Sequence, residues 1–485
     1  MTQSNRENIV GLYAWELSAK IQSKEVSCAE VMESYLDHID KVNPTVNALV
    51  ALQNRDDLMK QAREKDERGG DGWMRGFPQS IKDMEETAGI PTTMGSPIFK
   101  DFTPDYDSIL TERVKAAGAI IVGKSNTPEW GYGSQTYNNV YGATGNPYDP
   151  SKTCGGSSGG AACSLAMKMQ PVADGSDYMG SLRNPAGWCN VYGYRPSAGR
   201  VPNRGMDRYL NDCVARGPMA RCVADLALLL GTLSGYDAQS PSSLPDDAEL
   251  KALTPANVHD ALRADVSGRK IAWLGDWDGY LPMEDGVLPL CEKALGGFGE
   301  LGVGVEAIKP PYDPAKFWSE IWLPFRHLAA VLLKPLFDDP EKRALLKPEA
   351  IYEYEGSLGL SMQDIYAASV KRGEFFRAIL KVFETYDYIA VPSAQVFPFD
   401  KEISWPKEVA GRAMDTYHRW MEVVTHWTAV GCPVISVPAG FGEQGLPMGI
   451  QIVGRPRSDF DLLQFAKAYE ERNDRYAAVT PALLG

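Results

Sequence analysis

The chain has 485 residues, with 49 basic against 63 acidic side chains and a formal charge of −14. That balance lacks the basic footprint needed to hold a phosphate backbone, so no nucleic-acid partner is expected. Hydrophobic residues make up 44% and charged ones 23%, a globular mixture able to bury a large core, and no apolar run approaches the roughly 18 residues of a membrane span.

The first segment, "MTQSNRENIVGLYAWELSAK", has no basic start followed by an apolar stretch. No signal peptide is read there, and a cytoplasmic protein is expected. Residues 27–42 predict an amphipathic helix. Ser27 and Glu30 form a capping box, Val31, Tyr35, Ile39 and Val42 share one face, and Pro44 is expected to stop it. Strands are predicted at 118–124, 269–275, 386–393, 433–440 and 448–455. Helices are predicted in "RVKAAG", "AACSLAMKM" and "DLLQFAKAYEER". Such alternation favours an α/β class, with helices packed on a largely buried sheet. Residues 236–268 are polar, acidic and proline-punctuated, and read as a connection between two halves of one fold. The expected organisation is one domain over 1–485. It has N-terminal helices over about 8–70, a glycine-rich core over about 71–235, the connection, and a second half over about 269–485.

Three familiar chemistries fail. "GAIIVGKS" (118–125) matches the phosphate-loop pattern, but its interior is strand-like and Pro128 follows where a helix should begin. The histidines at 38, 259, 327, 418 and 426 show no metal-ligand spacing, and the eight cysteines, from Cys28 to Cys432, contain no C-x-x-C pair. No metal or other cofactor is expected, and the thiols read as reduced and mostly buried. A Ser-His-Asp hydrolase would want G-x-S-x-G at an elbow, and "GSDYMGSLR" lacks it at Ser181.

The stretch "TCGGSSGGAAC" (153–163) remains. Clustered glycines cost backbone entropy, so they mark either a linker or a close approach of backbone. The apolar helix directly attached favours close approach. Without a usable histidine, a lysine of lowered pKa is the next proton carrier, and Lys82 lies in "GFPQSIKD". Spacing alone does not rank Ser157, Ser158 and Ser181 as nucleophile.

Five segments, "GFPQSIKD", "GKSNTPEWG", "NPYDPSKTCGGSSGGAA", "GSDYMGSLRNPAG" and "GYRPSAGRVP", together with the late "GCPVISVPAGFGEQGLPMGIQIVGRP", resemble the amidase signature family in order, from about residue 10 to about 470. The resemblance implies the family's α/β/α fold, a large mixed and mostly buried sheet sandwiched between helices. It implies a Ser-Ser-Lys triad with Lys82 as base, Ser157 as bridge on a cis peptide, and Ser181 as nucleophile. Backbone N–H groups of Tyr178, Met179, Gly180 and Ser181 would form the oxyanion hole. Met179 departs from the family's usual glycine there. Asp177 and Arg183 read as a structural pair holding the turn.

Aromatic-rich segments at 130–141 and 317–328 suggest an apolar or aryl amide as substrate. Trp130, Tyr132, Tyr178, Met179, Trp188, Trp318 and Trp322 are the candidate pocket residues, though packing in the core explains aromatic residues as well. The expected reaction is amide hydrolysis by an aryl-acylamidase-like enzyme with water as the second substrate. A carbamate or ester hydrolase would use the same triad. A tRNA-dependent amidotransferase subunit shares the fold, and an inactive binding module would need the triad broken. Self-association into a homodimer is left open, and the amidotransferase reading would need partner subunits.

Overall fold

The computed structural model describes residues 9–70, 72–204, 210 and 212–485. Most of the N-terminal segment read for a signal peptide, residues 9–20, is described; its first eight residues lie outside. Among the described residues, no helix is long and apolar enough to cross a membrane.

Helix α1, Cys28–Val46, starts as its sequence dictates. The Ser27 hydroxyl accepts the Glu30 N–H at 3.1 Å, and the Glu30 carboxylate accepts the Ser27 N–H at 2.9 Å. Pro44 does not stop it. Proline costs most where it removes a ladder bond in mid-helix; here it falls in the last turn, where Val42 and Val46 are both buried. The helix ends at Asn47, in a left-handed conformation, whose N–H donates to the Asn43 carbonyl at 2.7 Å.

A small sheet follows, built from β1 (Leu49–Val50), β2 (Pro78–Lys82) and β3 (Ile120–Ser125). β3 lies in the middle, antiparallel to β1 and parallel to β2. The phosphate-loop look-alike is therefore largely strand. Its Lys124 is buried and donates to the Thr87 hydroxyl at 2.9 Å and to the Glu85 carbonyl at 2.5 Å.

Eight strands make the main sheet: β4 (Val172–Asp177), β5 (Tyr192–Arg195), β6 (Ala215–Ala220), β7 (Lys270–Trp273), β8 (Gly304–Ala307), β9 (Tyr388–Pro392), β10 (Val434–Phe441) and β11 (Pro447–Val453). Their spatial order is β8-β7-β9-β11-β10-β5-β6-β4. The β8-β7-β9 end is parallel and every other neighbour pair is antiparallel. All residues of β4 and β11 are buried, so both faces are covered by packed elements, and their polar members Asp174, Asp177 and Gln451 are hydrogen-bonded inside. Strands on either side of the 236–268 connection share this sheet. The connection itself holds two short helices, Ala248–Lys251 and Val258–Ala261. The eight cysteines are free and buried.

Candidate active site

Two elements are delivered to one place by glycine-rich backbone. The loop Thr153–Ser158 runs into helix α2 (Gly159–Ala166), and the peptide Gly156–Ser157 is cis. A Cβ on Gly160 would come within 2.3 Å of the Asn126 nitrogen, so glycine is required for the loop to press against β3's exit. The second element is the turn after β4, where Gly180 has φ +77° and a Cβ would lie 2.7 Å from Val424. The turn leads through Ser181 into helix α3 (Arg183–Trp188).

Lys82 ends β2 and is fully buried. Its ammonium nitrogen meets three hydroxyls: Ser157 at 2.7 Å, Ser158 at 3.0 Å and Ser176 at 3.0 Å. Among the described residues, no carboxylate is bonded to this nitrogen. Burial pulls its pKa from 10.5 down to about 7, with Asp174, Glu85 and Asp177 opposing the shift. The neighbouring acids are occupied elsewhere. Asp83 accepts from the Thr93 and Gly95 N–H groups, and Glu85 accepts from Arg216 at 2.7 Å. Asp174 accepts the backbone N–H of Lys82 at 3.1 Å, and burial lifts its pKa to about 7.

Ser157, Ser176 and Ser181 open on a common cavity of about 200 Å³, whereas Ser158 does not reach it. Ser158 instead donates to the Ser176 carbonyl at 3.3 Å and is fully buried. The turn itself is fastened by Asp177. Its carboxylate accepts from the Gly180 and Leu182 N–H groups, from Arg183 through two bonds of 2.9 Å, and from Arg195 at 3.1 Å. Burial works to raise the Asp177 pKa, but Arg183 and Arg195 outweigh it and hold the group well below the ordinary carboxylate range. The structural pairing of Asp177 with Arg183 is thus present, with Arg195 as an added member.

One oxyanion expectation needs correction. The Gly180 N–H points to Asp177 at 3.0 Å and is not free. The N–H groups of Tyr178, Met179 and Ser181 carry no hydrogen bond among the described residues. Backbone N–H groups survive a side-chain change, so Met179 does not itself remove a donor.

The pocket expectations divide. Trp130, Tyr132, Tyr178 and Met179 line the cavity. Trp188 does not: it stacks on Trp420 at 5.8 Å, donates to the Val396 carbonyl at 3.1 Å and is wholly buried. Trp318 is also absent from the wall, packed edge-on against His418. Trp322 lies behind the wall, its ring 5.6 Å from that of Tyr178. These three indoles fill core volume, as large apolar groups do when backbone carbonyls or neighbouring rings receive them. Ser176 and Arg326 are among the lining residues that were not anticipated. Ser176 follows Asp174 by two on β4, and that period-2 signal could have placed both beside Lys82.

The amidase family profile matches residues 30–463 of the chain. An acylamidase from Rhodococcus erythropolis is 31% identical over 474 residues, covering 96% of both chains. The A subunit of a glutamyl-tRNA(Gln) amidotransferase from Thermosynechococcus vestitus is also 31% identical, over 483 residues, covering 94% of this chain and 97% of its own. A crystal structure of a bacterial aryl acylamidase of the amidase signature family superposes with a TM-score of 0.87 at 28% identity, covering 96% and 97% of the two chains. The family match and the acylamidase relatives mark the chain as an amide-hydrolysing enzyme. The chain belongs to the amidase signature family.

Proposed function

We propose that this enzyme cleaves the C–N bond of an apolar or aryl amide through an acyl-enzyme on Ser181. The observation that carries the proposal is Lys82: a buried amine near neutrality, held only by hydroxyls, at the edge of a cavity into which Ser157 and Ser181 open. Neutral Lys82 takes the Ser157 hydroxyl proton while Ser157 takes that of Ser181. The Ser181 oxygen bonds to the amide carbonyl carbon. The developing oxyanion is met by the unengaged N–H groups of the turn, each such donor being worth about 3 kcal/mol of barrier. The C–N bond then breaks, and the proton returns through Ser157 to the departing nitrogen. Water, activated by the same relay, opens the Ser181 ester and releases the acid. The aromatic wall favours apolar substituents.

The test is a panel of anilides, primary amides, carbamates, esters and glutamine offered to the purified chain. Glutamine is included because amidotransferase A subunits match at the same identity as the acylamidase. Anilides or apolar amides should be the preferred amide substrates. A serine-directed phosphonate should label Ser181, and labelling at Ser157 instead would overturn the assignment.

A further inference from the structure

Among the described residues lining the cavity, Arg326 is the one charged side chain. It projects from helix α4 (Leu323–Ala330) and is held on several sides. Its Nε donates to Glu353 at 3.1 Å and its Nη2 to the Tyr417 hydroxyl at 3.1 Å. The guanidinium carbon sits 4.6 Å from the ring centre of Tyr132 and 4.9 Å from that of Tyr178, so cation–π contact fixes its plane. A guanidinium is a planar fork with two usable edges. The edge made by Nε and Nη2 is taken. Nη1, which completes the outer edge, has no acceptor among the described residues.

The charge of Arg326 is already answered. Glu353 is buried and also accepts from Tyr417 at 2.5 Å and contacts His327 Nδ1 at 2.8 Å. Burial works to raise the Glu353 pKa, but Arg326 and His327 overcome it and bring it to about 2. The nearby His418 is kept neutral, burial pushing its pKa down to about 3. The arginine and glutamate are therefore neutral as a unit. The cavity receives N–H donors without an unbalanced charge. A donor without a protein acceptor is left to water or to a substrate atom, and a substrate oxygen can take the water's place.

We propose that the outer edge of Arg326 selects substrates carrying a neutral carbonyl oxygen remote from the scissile bond. This rests on the amide-hydrolase reading of the Ser181 site. A carboxylate is disfavoured there, because it would add a second anion beside a cation that Glu353 already balances and would give up its hydration.

Matched anilides test this. In one set the acyl chain ends in a methyl ketone, an isopropyl group of equal length, or a carboxylate. In a second set the same difference sits on the aryl ring behind an insulating methylene. In at least one set the wild-type enzyme should prefer the ketone to its alkyl twin by roughly tenfold or more in kcat/KM, mainly through KM. Arg326→Met/Glu353→Gln, which removes both charges together, should erase that ratio. Equal turnover in both sets, a ratio that survives the double substitution, or a carboxylate that outpaces the ketone would each overturn the proposal. If the variant fails to fold, the wild-type ratios still decide. If no anilide is hydrolysed at all, the aryl-amide reading fails on its own. Arg326 is then judged by titrating the same ketone and alkyl compounds into Ser181→Ala enzyme, where tighter ketone binding supports the proposal and equal binding sinks it.

Discussion

The backbone N–H of Ser158 donates to the carbonyl of Ser181 at 3.2 Å. The loop carrying Ser157 and the turn carrying Ser181 are thereby one piece, and both rest on β4. Gly175 of β4 sits under the joint: a Cβ there would lie 2.6 Å from the Ser158 hydroxyl and 2.7 Å from Leu182. Gly175→Ala is expected to push Ser158 off Lys82 and to lower amide turnover on the order of 100-fold, as ångström-scale misplacements do. Overpacking should cost about 1–3 kcal/mol of stability. Steady-state kinetics beside a thermal melt check both, and a folded variant with full activity would refute the linkage.

Turnover should follow the protonation of Lys82. Its pKa is about 7, so kcat/KM for amides is expected to rise with pH through an apparent value near neutrality. Lys82→Arg keeps a positive charge but cannot release a proton in this range, and should abolish amide hydrolysis in a folded protein. Asp174 opposes the lowering of Lys82. Asp174→Asn removes that support and should move the acidic limb downward, on the order of one pH unit. A pH–rate series on the three proteins reads this directly, with the limb assigned to the coupled pair as a whole.

The same lysine should weaken the fold. A group whose folded pKa lies below its unfolded value of 10.5 binds fewer protons when folded, so its contribution to stability rises with pH between about 7 and 10.5. Replacing Lys82 with Met removes that dependence. Wild type should therefore gain roughly 2 kcal/mol relative to Lys82→Met on going from pH 6 to pH 9. Urea denaturation at the two pH values measures it, and a constant difference between the proteins would contradict a neutral resting lysine.

Asp177 carries the opposite sign. Its pKa is depressed in the folded state, so its stabilisation is present above the ordinary carboxylate value and is lost only as pH falls through the depressed one. Asp177→Asn leaves Arg183 and Arg195 buried without their shared partner. A loss of about 3–5 kcal/mol at neutral pH is expected, shrinking toward acid. Chemical denaturation should find the difference between the two proteins constant from pH 7 to about 4 and narrowing only below that.

Part of the order of strands and helices was legible, because caps and apolar runs are local signals. Ser27 with Glu30 marks a helix start wherever it occurs, and the runs predicted at 433–440 and 448–455 become the central strands Val434–Phe441 and Pro447–Val453, whereas β4 and β6, which carry polar residues, were not predicted. That Lys82, Ser157 and Ser181 gather around one cavity was legible through motif resemblance, since glycine requirements leave a pattern in one dimension. The pocket was not. Trp130 and Trp188 look alike in sequence, yet one lines the cavity and the other fills the core. Burial of an indole is decided by what packs on it from hundreds of residues away, here Trp420 and the Val396 carbonyl. Arg326 escaped notice for the same reason, because its meaning depends on Glu353 and Tyr417.

The Arg183 side chain that grips Asp177 also donates to the Val424 carbonyl at 2.8 Å and to the Gln451 side chain at 2.5 Å. The turn carrying Ser181 is therefore moored to parts of the chain synthesised well after it. A growing polypeptide that has displayed Lys82, Ser157 and Ser181 still lacks these moorings, so hydrolytic competence is expected to arrive only once Gln451 has emerged. Truncation before residue 424 should yield an inert fragment. Restoring the missing piece in trans, followed by an activity assay, would show whether the catalyst is completed by residues so far along the chain.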